Sequence, residues 1–302
     1  MDYAEEVRRL SPFSPSAGTD RERQSRTVRA RLWREKGLSG TPEAIARRET
    51  LCALIRYRLA PCPPENREIP ERTLRFIAAA GEKAPDFSWR LLCRLAEADA
   101  QGPEARILRE RIRITRERAE AAGCLDRPYP FPDPRTKRAY FAGRTECPGK
   151  PFPDDTWGEI ILMSGLPGTG KDHWIRENKP DLGMISLDGI RAETGISPAE
   201  PQDEVLRIAR ERATAFLRER RPFVWNATNL TPEVREERIC LFEQYGARVR
   251  IVWLETGWDT RAGRNRSRTR DAVVPEEKVS AMLEGMTPPM PGEARTVDWI
   301  CV

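Results

Sequence analysis

The stretch Ile161–Ile175, ILMSGLPGTGKDHWI, decides the fold. It begins with apolar residues, turns through Gly165, Pro167, Gly168, Thr169 and Gly170, and runs on into Lys171 and Asp172. An apolar strand feeding a Gly-rich turn that opens a helix is the setting of a phosphate-binding P-loop. Glycines let the backbone curl so that successive N–H groups and the helix N-terminus point at phosphate oxygens, while Lys171 neutralises the outer phosphates. Gly165, Pro167, Gly168, Thr169, Gly170, Lys171 and Asp172 therefore form the candidate nucleotide-binding set. Asp172 occupies the position where the motif expects Ser or Thr, whose hydroxyl reaches Mg²⁺. A carboxylate there holds a metal directly, yet it also brings negative charge toward a polyphosphate. Two outcomes stay open: a substituted metal ligand, or a disabled loop.

Downstream, strand-like and helix-like segments alternate. EIILMSG, GMISL, PFVWNAT and RVRIVWLE read as strands. Between them lie QDEVLRIARERATAFLRERR and TPEVREERICLFEQYG, with a helical tail through PEEKVSAMLEGM. Crossovers of that length imply a parallel sheet covered by helices on both faces, an α/β domain over residues 158–302.

Upstream, no strand-like alternation precedes residue 158, and no internal repeat is present. TPEAIARRETLCALIRYRL carries a candidate N-cap, Thr41, with Pro42 at the first helical position and an apolar stripe at Ile45, Leu51, Leu54 and Ile55. Helical patterns recur through PEARILRERIRITRERAEAAG, so residues 1–123 read as an all-helical domain. Its first 20 or so residues are rich in Ser and Pro and are expected to be poorly ordered. Residues 124–157 accumulate Pro and Gly and read as a connector whose aromatics, Tyr129, Phe131, Tyr140 and Phe141, pack on a domain.

Charge is unevenly spread. Residues 1–150 hold 31 Lys and Arg against 22 Asp and Glu, and the remainder holds 21 against 25. Such an excess attracts a nucleic-acid backbone, although interleaved Arg and Glu on helices also make a solvated face. Seven scattered cysteines with no CxxC pair suggest neither a disulfide framework nor a zinc site. A single histidine, His173, excludes chemistry that needs two imidazoles. No apolar run approaches membrane-spanning length, and the N-terminus resembles neither a signal nor a transit peptide. The expectation is a cytoplasmic protein without a membrane partner.

Three further segments bear on chemistry. In ISLDGIRAETG, Asp188 and Arg191 lie one helical turn apart at the sheet edge where α/β ligands bind. A carboxylate there accepts a proton from an attacking hydroxyl, and an arginine holds a substrate phosphate; an N-cap and a surface arginine are the plainer alternative. In FVWNATNLTPEVREE, Asn226, Thr228 and Asn229 either position a substrate or cap the helix opening near Pro232. TRAGRNRSRTRDAVVPEE crowds Arg261, Arg264, Arg266, Arg268 and Arg270 ahead of Pro275, as a lid over a migrating phosphoryl group or as a solvated basic helix.

Taken in order and spacing, GLPGTGKD, SLDGIR, WNATNLTPEVR and RNRSRTRDAVVPEE resemble the P-loop polynucleotide 5'-kinase family and related small ATPases, over roughly residues 158–302. The resemblance implies ATP and Mg²⁺ as cofactors, with Lys171 on the donor phosphates, Asp172 at the metal and Asp188 as base on the 5'-hydroxyl. It also implies Arg191 on the acceptor phosphate, Arg268 as lid arginine and Arg264 as a second candidate. Asn226 stands where many relatives carry an Asp. The acceptor implied is a 5'-hydroxyl nucleic acid, RNA ahead of DNA, in repair or processing, with a second copy or repair-complex subunits as further partners. A small-molecule acceptor, or a nucleotide-binding module without transfer, are the alternatives. Through ETLCALIRYRLAP and RLAEADAQG the front half weakly resembles the end of an HD phosphohydrolase-like domain. With no histidine before His173, that half is expected to dock RNA or to play a structural part.

Overall fold

The computed structural model describes residues 3–11, 21–35, 38–64, 67–196, 200–268 and 273–302. The chain divides into two compact units, Met1–Lys150 with Met290–Gly292, and Pro151–Pro289 with Glu293–Val302.

The first unit is helical: α1 (Tyr3–Leu10), α2 (Arg21–Arg34), α3 (Pro42–Arg56), α4 (Glu71–Ala78), α5 (Trp89–Asp99), α6 (Ala105–Ala121) and α7 (Pro134–Phe141). Thr41 caps α3, its side chain accepting the Ala44 N–H at 3.2 Å, with Pro42 in the first turn where a missing N–H costs nothing. Leu51, Leu54 and Ile55 are fully buried, in one core with Trp89 and Leu92. Beneath them Glu49 accepts Arg29 Nε at 3.0 Å and Arg48 Nε at 2.9 Å, and the Arg48 guanidinium lies 4.4 Å over the Trp33 ring.

Two observations bear on the segments that sequence sets apart. Part of the N-terminal segment is ordered: α1 carries Val7 and Leu10 into the core, while residues 12–20 lie outside the described residues. Residues 124–157 join the first unit as far as Lys150 and the second from Pro151. Within it Asp133 caps α7 by accepting the Thr136 N–H at 2.9 Å, with Pro134 as the first helical residue. Proline placed there starts a helix instead of breaking one. Its aromatics do pack together, Tyr129 and Phe131 at 4.9 Å between centroids and Phe141 against Phe76 at 5.4 Å.

The second unit is the expected α/β fold. Five strands, β1 (Glu159–Ser164), β2 (Gly183–Ser186), β3 (Phe223–Asn226), β4 (Arg248–Glu255) and β5 (Thr296–Cys301), form one all-parallel sheet in the order β2-β3-β1-β4-β5. Alternate residues face opposite layers. Ile160, Leu162, Phe223, Trp225, Val249 and Ile251 pack with α9 (Leu187–Thr194), α10 (Asp203–Arg218) and α11 (Pro232–Gln244). Ile161, Met163, Val224, Val252 and Leu254 pack with Trp174 and Ile175 of α8 (Lys171–Asn178). Both faces are buried, which explains why these strands read as continuous apolar runs. Helices α12 (Trp258–Arg266) and α13 (Glu276–Gly285) follow β4. The sequence reading ends in a helical tail and misses β5, which pairs with β4 from Arg250↔Thr296 to Glu255↔Cys301.

Candidate functional site

The site lies at the C-terminal edge of the sheet, where β1 gives way to the loop Gly165–Gly170 and then α8. Parallel strands present their ligand-binding edge there. The loop backbone is tightly enclosed. Gly168 has φ +85°, and a Cβ on it would stand 2.5 Å from the Arg261 carbonyl oxygen. Gly165, at φ +144°, would meet the Leu254 carbonyl at 2.6 Å. Any side chain at either place collides with that neighbouring backbone and strains its own. Pro167 is buried in the loop, and the Thr169 hydroxyl is spent inside it, donating to the Leu166 carbonyl at 2.8 Å.

Lys171 folds over this loop, its Nζ donating to the Gly165 and Leu166 carbonyls at 2.9 Å each. Burial pushes its pKa down from 10.5 to about 8; the nearby Asp172 and Asp188 carboxylates oppose the shift, and Arg268 reinforces it. Four groups from three separate segments thus share one electrostatic site. Asp172, in the first turn of α8, is exposed and accepts the Asn226 Nδ2–H at 2.6 Å. Asn226 is the last residue of β3 and is buried.

Asp188 falls in the first turn of α9, which Ser186 caps by accepting the Gly189 N–H at 3.2 Å. Since Ser186 does the capping, Asp188 is left free for other partners. Its two oxygens accept from two arginines on different elements, Arg191 Nη1 at 2.5 Å and Arg268 Nη2 at 3.1 Å. Arg191 is held in turn by Gln202, whose Oε1 accepts its Nε–H at 2.6 Å. Gln202 is a site residue that the sequence reading misses; it lies in the polar run PAEPQDEV, where nothing in residue type or spacing separates it from an ordinary helix start.

The arginine-rich segment divides by role. Arg261 is fully buried, paired with Glu276 and stacked 4.2 Å over Trp258, so it builds the wall behind Gly168. Arg264 is exposed, with its Nη1 3.3 Å from where a Gly170 Cβ would stand. Asn265 ties the segment at its base: its Nδ2 donates to the Val274 carbonyl at 2.7 Å, and its Oδ1 accepts the Val274 N–H at 3.2 Å. Arg270 lies outside the described residues.

Asn229 is engaged with β1, beside the loop. It is buried at φ +44° and its amide donates to the Met163 carbonyl at 2.7 Å, while its own carbonyl accepts from Ser164 and Arg235. It holds β1 to the loop after β3. Asn226 directs its amide at Asp172. A groove between α10 and α11 is lined by Arg207, Arg210 and Arg238, but Arg207 pairs with Glu204 and Glu211 and Arg210 with Glu237, so its charge is largely compensated.

The residues present fit a magnesium nucleotide: a cradle that excludes side chains, helix N–H groups, a lysine at its rim and an exposed carboxylate one residue on. The family described as AAA domain matches residues 160–289, from β1 through α13. No curated protein sequence matches the chain. Loop geometry and family match together make this segment a P-loop nucleotide-binding domain.

Proposed function

We propose that this protein is an ATP-dependent phosphotransferase, using Mg²⁺, that phosphorylates the 5'-hydroxyl end of a polynucleotide, RNA ahead of DNA, in nucleic-acid repair or processing in the cytoplasm. The observation that carries the reading is Asp188, set between Arg191 and Arg268 and close enough to the P-loop lysine to influence its charge.

Phosphoryl transfer needs positioning and charge neutralisation more than covalent help from the protein. Lys171, with the N–H groups of the loop and of α8, binds the donor phosphates. Asp172 is the residue that would hold the metal, which when bound neutralises charge developing on the phosphates. Asp188 accepts the proton of the acceptor hydroxyl as its oxygen attacks in line. Arg191, its plane fixed by Gln202, binds the phosphate next to that end, and Arg268 turns to the migrating group, with Arg264 beside the loop. The Asp188 side chain is 62% exposed, an open mouth that suits a polymer end better than an enclosed metabolite. The excess of cations in residues 1–150 supports a polyanionic acceptor.

The test is transfer from γ-labelled ATP to 5'-hydroxyl oligonucleotides by wild type and Asp188→Ala. Asp188→Ala should lower the rate about 10²–10⁴-fold while nucleotide still binds. Equal transfer by the two proteins would defeat the assignment.

A further inference from the structure

In P-loop proteins two side chains serve the metal: a Ser or Thr hydroxyl after the loop lysine, and an Asp at the end of a neighbouring strand. Here the corresponding places hold the opposite chemistry. The loop position is Asp172, a carboxylate, and the end of β3, the strand paired directly with β1, is Asn226, a neutral amide. The two side chains touch, Asn226 Nδ2 donating to Asp172 Oδ1 at 2.6 Å. From these facts we infer that the metal-binding carboxylate has moved from the end of β3 to the first turn of α8, with Asn226 as the residue that positions it. The inference rests on the magnesium-nucleotide reading above and deepens it.

Three features support an exchange over two unrelated substitutions. The pair keeps a single negative charge: carboxylates at both places would repel across hydrogen-bonding distance, and neutral groups at both would leave the metal no anionic oxygen from the protein. The amide is oriented from two sides, since the same Nδ2 that meets Asp172 also faces Met184 Sδ on β2 at 3.8 Å. Finally, the buried partner is the neutral one. Asn226 is 6% exposed while Asp172 is exposed, so the charge is kept on the solvent-facing member, where burial costs it least. With Oδ1 engaged by Asn226, Oδ2 is left for a cation. Partners that hold metal ligands in this way set both their orientation and their affinity.

The test measures ADP binding by calorimetry, with and without Mg²⁺, on the full chain and four variants: Asp172→Ser, Asp172→Asn, Asn226→Asp and the double exchange Asp172→Ser/Asn226→Asp. The quantity read is the gain in affinity that Mg²⁺ provides. Wild type should show a gain, and each single variant should lose about 10–100-fold of it. The double exchange should recover most of what either single change loses, a non-additivity expected only of coupled partners. Thermal melting without Mg²⁺ identifies variants that fail to fold; Asp172→Asn, nearly isosteric, keeps the test decisive if Asn226→Asp does not. A folded Asp172→Asn with an undiminished gain, or a folded double exchange no better than the poorer single variant, would overturn the inference and leave the nucleotide site standing. A wild-type protein with no gain from Mg²⁺ would overturn both.

Discussion

Lys171 shows how one residue couples loop geometry to solution conditions. Its ammonium lies against two loop carbonyls, and burial lowers its pKa to about 8. Between that value and the ordinary 10.5 the unfolded chain holds a proton that the folded chain has released. Stability therefore rises with pH through this window, because the cost of burying the charge disappears. Nucleotide binding has the opposite sign: phosphates need the protonated lysine, so affinity should fall above pH 8 by a factor approaching about tenfold per unit. Calorimetric titrations from pH 7 to 9.5 check this, with Lys171→Met expected to bind weakly and without that slope. The loop and its lysine were legible in sequence because their spacing is set by local backbone geometry. Asn229 was not, because only the folded chain brings its amide to the Met163 carbonyl.

Among the elements, the segment after α12 depends on one side chain. Asn265 is 2% exposed and bonds both the carbonyl and the N–H of Val274, closing the loop that carries Arg268. Asn265→Ala should destabilise this closure by about 1–3 kcal/mol, the cost of unpairing buried polar groups. Limited trypsin digestion reads it directly: cleavage between Arg266 and Val274 should accelerate in the variant, and unchanged cleavage would contradict the role. Strands β1 to β4 were legible as apolar runs punctuated by turn residues, since burial on both faces leaves little room for polar positions. TVDWIC was not read as a strand, because Thr296 and Asp298 interrupt its apolar residues and all of it but Val297 is only partly buried. Helix α7 was hidden by the prolines around it, although Asp133 before Pro134 is itself a helix-start signal.

Across the whole molecule, each unit joins an apolar core to buried ionic groups. The α/β unit rests on apolar strands and buries Arg235 against Glu293, and the helical unit buries a cluster of Arg29, Arg48 and Glu49. Burial pushes the Glu49 carboxyl pKa up, but Arg29 and Arg48 outweigh that and hold it below the ordinary carboxylate value. Removing Glu49 leaves two guanidinium groups without that partner, so Glu49→Ala should cost about 3–5 kcal/mol in denaturant unfolding. A loss below 1 kcal/mol would show that the cluster is not a structural hinge of the fold. The all-helical character of the front half was legible from periodicity and caps; its ionic core was not, because a buried arginine and a solvated one look alike in sequence. No described helix is long and apolar enough to cross a membrane. The central claim, that the P-loop edge moves a phosphoryl group onto a polynucleotide end through Asp188, is tested most directly by following labelled γ-phosphate in the presence of matched 5'-hydroxyl and 5'-phosphate RNA. The account predicts label on the 5'-hydroxyl strand alone, lost with Asp188→Ala. Label released only as inorganic phosphate, with neither strand labelled, would contradict it.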